Sequence, residues 1–181
     1  MIGGSAILNP EGRYYQLLKR AFEVDYENNY WAEDIMFTER NSRDFVTQIE
    51  RINDNTKAIC NVLQAHLVKD VYYPKRSPTK QFYDDCRIPT SGYSGLLSFT
   101  FYKDHAVTFF DRNDTAKGPS LGTNFALTSP YVVLAHYWEL DWAAGSGVSA
   151  ELLRISIGLE VAEDLSSRFA IAPKAAEAVG S

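Results

Sequence analysis

The stretch Glu151-Leu-Leu-Arg-Ile-Ser-Ile-Gly-Leu-Glu160 places a single arginine, Arg154, inside an otherwise apolar run. The alternation of side chains over residues 152–158 predicts a β-strand. A permanent cation is costly to bury in such a strand unless it meets an anion. Two interpretations follow. Arg154 lies with Ser156 and Gly158 on a solvent-facing polar side of the strand, or its planar guanidinium binds a ligand carboxylate through two parallel hydrogen bonds.

The segments on either side of this strand predict the elements that surround it. A helix is expected from about Val161 to Phe169, followed by a frayed tail over 170–181 that is rich in alanine and small residues. Residues 95–102 alternate between apolar and polar side chains and predict a second strand. The clearest helix covers residues 42–65, where apolar side chains recur at helical spacing.

The first part of the chain gives weaker patterns. Residues 2–8 predict a short strand. Asn9 is a good helix N-cap and Pro10 suits the first helical position, so a helix is expected to continue to about Phe22. The acidic and aromatic residues 23–33 predict a loop.

The composition is that of an ordinary globular protein, with 45% hydrophobic and 23% charged residues. A net charge of −5 argues against a general nucleic-acid surface, which is normally basic. No signal peptide is visible, and no apolar run approaches the roughly 20 residues that a membrane span needs. Cys60 and Cys86 lie outside zinc and Cys-x-x-Cys patterns, and we predict that Cys60 is buried and Cys86 exposed. A cytoplasmic protein with no nucleic-acid or membrane partner is expected.

A series of motifs follows a fixed order along residues 1–169. The series consists of Met1-Ile-Gly-Gly-Ser-Ala-Ile-Leu-Asn9, Glu39-Arg-Asn-Ser-Arg-Asp-Phe45, Val71-Tyr-Tyr-Pro74, Ser94-Gly-Leu-Leu-Ser-Phe99, Ser120-Leu-Gly122 and the segment from Ser129-Pro130 to His136. With the Arg154 strand, the series resembles that of the Cys/Met-metabolism family of pyridoxal-phosphate (PLP) enzymes. Within this family, Tyr30-Trp31-Ala-Glu-Asp34 and Ala135-His-Tyr-Trp-Glu-Leu-Asp-Trp142 are most similar to the cystathionine γ-synthase branch found in fungi.

This resemblance implies an α+β fold, the small C-terminal domain of the fold-type I (aspartate aminotransferase-like) PLP-dependent transferases, with helices on an antiparallel sheet. It implies that residues 1–41 are a remnant of the large PLP domain, that 42–169 form the small domain with its long connecting helix, and that 170–181 are a disordered tail. In the family, the lysine that binds PLP covalently lies in a Ser-x-Thr-Lys motif just before the Met-Gly-Gly strand. None of the lysines here (19, 57, 69, 75, 80, 103, 117 and 174) lies in such a motif, so we expect the covalent lysine to be outside this chain.

The resemblance also implies two substrate-binding residues. The arginine of the family's last strand binds the substrate α-carboxylate, and the serine of Ser-Leu-Gly lies beside it. Arg154 and Ser120 match these positions, although Ser120 is also compatible with a simple loop or helix-capping role. We predict no metal-binding residue, because His66, His105 and His136 lack metal-ligand spacing. We also assign no catalytic or cofactor-binding residue to this chain.

Two hypotheses for function remain open. In the first, the chain is the C-terminal portion of a PLP-dependent transsulfuration enzyme that replaces the acyl group of an activated homoserine ester by cysteine, for methionine biosynthesis. Elimination and direct sulfhydrylation share the same motifs. In the second, the chain is a non-catalytic remnant or partner subunit that lacks the PLP lysine. The resemblance implies an amino-acid substrate, a missing N-terminal PLP domain or complementary chain, and a homo-oligomer in the full enzyme.

Overall fold

A computed structural model describes residues 6–65, 68–102 and 105–179, and side chains up to residue 171. The chain divides into two compact units, residues 1–46 and 47–181. The predicted strand at 2–8 falls largely on residues outside the described part, and residues 6–8 form no strand. His66 also lies outside the described residues.

The described residues of the first unit form the helices α1 (Tyr15–Asp25) and α2 (Ala32–Ser42). The prediction that a helix begins at Pro10 is wrong. Asn9 instead begins a turn, in which its carbonyl accepts from the amide of Gly12 and its side chain accepts from the amide of Glu11. The prediction of a loop up to residue 33 is also wrong at its end. Glu33 lies in the first turn of α2, where a carboxylate interacts favourably with the helix dipole.

The long helix is confirmed as α3 (Phe45–Gln64). Ile59 and Leu63 are fully buried at the end of its apolar stripe, whereas Ile49 is exposed. The pattern did not predict the buried polar residue Asn55, whose amide donates to the carbonyls of Gly158 and Glu160, both at 3.0 Å. This side chain therefore fixes α3 to the chain segment that follows the Arg154 strand.

The second unit is built on a five-stranded sheet in the order β1-β2-β5-β4-β3. The strands are β1 (Val68–Tyr72), β2 (Leu96–Phe101), β3 (Ala116–Lys117), β4 (Leu127–Pro130) and β5 (Leu153–Ser156). The α+β class is confirmed. The sheet is mixed, because the two-residue strand β3 runs parallel to β4 while the other pairings are antiparallel.

Among the described residues, five further α-helices connect and cover these strands. They are α4 (Lys80–Cys86), α5 (Ala106–Arg112), α6 (Tyr131–Ala135), α7 (Leu140–Gly145) and α8 (Ala162–Val179). The last helix passes through most of the tail that was predicted to be frayed or disordered. Repeated alanines, the best helix formers, explain this continuation.

One face of the sheet packs against a cluster of phenylalanines. Phe99 on β2 lies edge-on to Phe109 of α5, with ring centroids 5.2 Å apart, and Phe109 contacts Phe169 of α8 at 6.2 Å. All three residues are fully buried. Because side chains alternate along a strand, the neighbours Ser98 and Arg154 must point to the opposite face.

The two cysteines differ in accessibility, as the sequence predicted: Cys60 is buried and Cys86 exposed. Burial raises the pKa of the Cys60 thiol to about 11, so it remains protonated and unreactive at neutral pH. We expect iodoacetamide to alkylate Cys86 in the native protein and Cys60 only after unfolding. Peptide mass spectrometry of native and denatured samples measures this order, and a Cys86→Ser variant that is still alkylated in the native state would contradict it.

Asp84 on α4 is the centre of a small charged cluster. Its carboxylate accepts hydrogen bonds from Arg87 Nε and the Tyr93 hydroxyl, each at 2.7 Å, and from Lys80 Nζ. The pKa of Asp84 is held well below its usual range by hydrogen bonds from Lys80, Arg87 and the Tyr93 hydroxyl, in decreasing order of effect. The charged form is therefore favoured in the folded state.

This depressed pKa predicts a pH-dependent contribution to stability. Stabilisation by the Asp84 carboxylate is fully present above the ordinary aspartate pKa of about 3.9 and is lost as the pH falls toward the folded-state pKa. Asp84→Asn is expected to lower the free energy of unfolding at pH 7, with a difference from wild type that shrinks below about pH 4. Urea titrations across this range measure the difference. The exposed neighbour Asp85→Asn is the matched control, and an equal loss at every pH would contradict the assignment.

Candidate functional site

Arg154 lies at the centre of the sheet, on β5 between β2 and β4. It is in register with Ser98 on β2 and with Ser129 on β4. Cross-strand partners share a face of the sheet, so the three side chains form one row. Ser156 follows two residues later on the same face. Ser129 and Ser156 are both buried.

Arg154 is half-buried, and two neighbours hold its guanidinium. Its Nη2 donates to the carbonyl of Pro119 at 2.5 Å, and its Cζ lies 4.3 Å from the ring centroid of Tyr131. Within the described ranges, no carboxylate of the protein lies within ion-pair distance of it. Its Nε and Nη1 groups donate no hydrogen bond within the described ranges, and Nη2 keeps a second N–H. Nη2 can therefore pair with Nη1 or with Nε to donate two parallel hydrogen bonds to an external anion.

This arrangement bears on the two interpretations of the Arg154 strand. A plain solvent face would leave the neighbouring side chains exposed, but Ser156 and Ser129 are 5% and 1% exposed. A loop covers this face and leaves the guanidinium partly accessible. This face of the sheet is therefore not a plain solvent-facing one, and binding of a carboxylate by Arg154 stays a prediction.

The loop that contains Ser120 is fixed to β5 on both sides of that serine. Before it, the carbonyl of Pro119 accepts from Arg154; after it, the amide of Gly122 donates to the hydroxyl of Ser156 at 2.9 Å. Gly122 has a φ of +72°, which glycine adopts without strain. The structure thus brings the segment of Ser120 to the face that bears Arg154, with the Ser120 side chain exposed. Its role in binding stays a prediction.

Three residues of this face were not predicted as part of the site. Tyr131 supplies the ring beneath the guanidinium. Ser156 anchors the Ser120 loop. The hydroxyl of Ser129 is buried and has no hydrogen-bond partner among the described residues. Side-chain alternation along the strand could identify only Ser156 from the sequence. Ser129 and Tyr131 come close to Arg154 through strand pairing and loop packing.

The residues of this face fit a carboxylate and do not fit covalent attachment of PLP. The face offers a guanidinium, hydroxyls and a tyrosine ring. The ammonium groups of Lys19, Lys57 and Lys80 pair with carboxylates of their own helices, and Lys117 donates to the carbonyl of Asn113. These four lysines are therefore not assigned to bind PLP, and no reaction step is assigned to them.

No group of three or more histidine, cysteine, aspartate or glutamate side chains in the described part of the chain is placed to hold a metal ion. No helix in the same part is both long and apolar enough to cross a membrane.

Comparisons with known proteins identify similar chains. Residues 28–172 match the family described as Cys/Met metabolism PLP-dependent enzyme. The chain is 54% identical over 179 residues to cystathionine gamma-synthase of Neurospora crassa, covering 98% of this chain and 29% of that protein. It is 41% identical over 179 residues to cystathionine gamma-synthase of Saccharomyces cerevisiae, covering 93% and 28%. The chain thus spans less than a third of the length of these relatives.

A solved structure shows the same fold. The crystal structure of cystathionine gamma synthase from Xanthomonas oryzae in complex with cystathionine matches with a TM-score of 0.68 and 27% sequence identity. The match covers 77% of this chain and 37% of that one. The predicted class, the small domain of a fold-type I PLP enzyme, is confirmed by this likeness.

Proposed function

Because this chain belongs to the Cys/Met metabolism family of PLP-dependent enzymes, we propose that it is the C-terminal, carboxylate-binding part of a cystathionine γ-synthase-like enzyme. The observation that carries the proposal is the state of Arg154. This cation is half-buried on the central strand, is fixed by Pro119 and Tyr131, and has no carboxylate partner among the described residues. An amino-acid substrate supplies the missing anion.

Arg154 and Ser120 have distinct tasks in this proposal. Nη2 of Arg154, together with Nη1 or Nε, donates to both oxygens of the substrate α-carboxylate, and the hydroxyl of Ser120 adds a third hydrogen bond at its side. Binding at two points fixes the rotation of the substrate as well as its position. This orientation is what a reaction at the adjoining carbon atoms requires, and it contributes to rate by positioning.

The proposed reaction is γ-replacement on an activated homoserine ester, in which cysteine takes the place of the acyl group and cystathionine is formed. The identity to cystathionine gamma-synthases of fungi supports this choice over elimination or sulfhydrylation. PLP, the cofactor of the family, supplies an electron sink when bound. The lysine that carries it is proposed to lie outside this sequence, on a preceding PLP domain or a complementary chain.

Exposed apolar side chains support such a covering partner. Within Tyr15–Asp25 and Ala32–Ser42, no residue is buried. Trp31 and Met36 are 66% and 64% exposed, and many of their apolar neighbours are exposed as well. Large exposed apolar surfaces mark interaction sites. We therefore propose that residues 1–41 belong to the edge of the large PLP domain and that the complete enzyme is a homo-oligomer.

An assay of the complete protein with bound PLP tests the reaction. The protein is incubated with cysteine and with the acetyl, succinyl or phosphoryl ester of homoserine in turn, and products are identified by mass spectrometry. Cystathionine is expected with at least one ester. Turnover of the ester without cysteine would indicate elimination. Turnover with sulfide in place of cysteine would indicate direct sulfhydrylation. Absence of cystathionine with all three esters would overturn the proposed reaction.

A further inference from the structure

A stack of three side chains begins at the guanidinium of Arg154 and ends at His136, a residue to which the proposed reaction assigns no task. The Arg154 Cζ atom lies 4.3 Å from the ring centroid of Tyr131. The Tyr131 ring in turn meets the ring of His136 edge-on, with centroids 5.7 Å apart and ring planes at 77°. Tyr131 and His136 are both half-buried, so neighbouring parts of the chain limit the motion of the stack.

His136 is itself fixed by two neighbouring side chains. Its Nδ1 atom lies 3.0 Å from Oε2 of Glu139, and because a carboxylate only accepts hydrogen bonds, Nδ1 is the donor. Its ring centroid lies 6.3 Å from that of Trp142. At the other end of α6, the amide of Tyr131 donates to the carbonyl of Leu152, directly before β5. The imidazole therefore has a fixed place against the Tyr131 ring, and that ring has a fixed place beside the Arg154 strand.

The Tyr131 ring holds the guanidinium without neutralising it. The face of an aromatic ring carries partial negative charge and attracts a cation, whereas a carboxylate in its place would occupy the paired N–H donors. The hydrogen bond from Nη2 to the carbonyl of Pro119 fixes one nitrogen but leaves the guanidinium free to turn about that nitrogen. A ring beside Cζ removes much of this freedom. The ring therefore helps to set the direction of the donors that remain for a ligand.

We propose that Tyr131 and His136 are positioning residues for recognition of the substrate α-carboxylate. Tyr131 fixes the plane of the Arg154 guanidinium, and His136 fixes the Tyr131 ring through its edge-on contact. Both residues act through Arg154, so this inference rests on the proposed binding of the carboxylate by that residue. A group that must meet two oxygen atoms at once loses affinity when its orientation is no longer fixed in advance.

Calorimetric titration of the complete protein, with PLP bound, tests the proposal with L-norleucine, an amino acid that has no leaving group. Tyr131→Leu is expected to weaken binding by about tenfold, because the ring face is lost. Tyr131→Phe keeps the ring and should stay within about twofold of wild type. His136→Ala should weaken binding by about threefold, and His136→Phe, which restores a ring edge, by less. Tyr137→Leu, at a 58% exposed tyrosine of the same segment, is the matched control and should leave the affinity unchanged.

A second probe separates positioning from general damage to the site. Pentylamine is norleucine without its carboxylate, so its affinity should be the same in Tyr131→Leu and in wild type. Circular dichroism confirms that each variant is folded, and His136→Ala tests the stack even if Tyr131→Leu is unstable.

Several results would overturn the proposal. They are a wild-type affinity for norleucine in Tyr131→Leu or in His136→Ala, an equal loss in Tyr131→Phe and Tyr131→Leu, or an equal loss for pentylamine. Arg154→Ala reports on the proposed function separately. Weaker binding of norleucine in Arg154→Ala but not in Tyr131→Leu would reject only the positioning role, whereas unchanged binding in Arg154→Ala would reject the carboxylate site and this inference with it.

Discussion

Replacing Arg154 by alanine is expected to raise the Michaelis constant of the complete enzyme for its amino-acid substrate by about a hundredfold or more. The reason is the loss of a paired, charge-assisted contact to the substrate carboxylate, where tenfold in affinity corresponds to about 1.4 kcal/mol. Binding of PLP should be spared, because no cofactor contact is assigned to Arg154. Steady-state kinetics and the visible absorbance of bound PLP measure the two effects separately.

Lysine at the same position is the informative companion variant. Arg154→Lys keeps the positive charge but loses the planar pair of donors, so we expect it to recover only part of the lost affinity. Arg112→Lys, on the surface of α5, is the matched control and should behave as wild type. A wild-type Michaelis constant in Arg154→Ala would rule out carboxylate binding at this residue.

The largest loss of stability is expected for Phe99→Ala. Phe99 is fully buried on β2, and its ring lies edge-on to Phe101 and Phe109 at centroid distances of 5.5 and 5.2 Å. Removing it leaves a cavity between the sheet and α5, which costs about 3–5 kcal/mol of unfolding free energy. Urea denaturation followed by circular dichroism measures the loss.

An exposed phenylalanine provides the comparison for that variant. Phe82 is 70% exposed on α4, so Phe82→Ala should change the free energy of unfolding by less than about 1 kcal/mol. Equal losses in the two variants would contradict the placement of the core at the Phe99 face of the sheet.

Local patterns predicted the parts of the fold that have a buried and an open side. The alternation around Phe99 identified β2, and the helical stripe that includes Ile59 identified α3. Sequence patterns did not predict the helices that bury few or no residues. Helix α2 has no buried residue, so no apolar stripe marks it. Helix α4 is short, and Phe82, one of its two aromatic side chains, faces solvent.

The candidate site was predictable only in part for a related reason. Arg154 was recognisable because a cation in an apolar strand is unusual, and this needs no knowledge of distant residues. Its neighbours Pro119, Tyr131 and Ser129 reach it through strand register and loop packing across more than twenty positions of sequence. No local spacing encodes those contacts. Ser120 was identified by its motif, and its binding role remains a prediction.

The most direct test of the central claim is the mass of the PLP-labelled polypeptide. Native protein from its source is reduced with borohydride, which fixes PLP to its lysine, and the labelled chain is then analysed intact and after digestion. We predict a pyridoxyl-lysine outside the present sequence, either on the polypeptide that contains Arg154, with a mass well above 20.4 kDa, or on a co-purifying complementary chain. A 20.4 kDa protein with pyridoxyl on one of its own lysines, or with no PLP, would contradict the account.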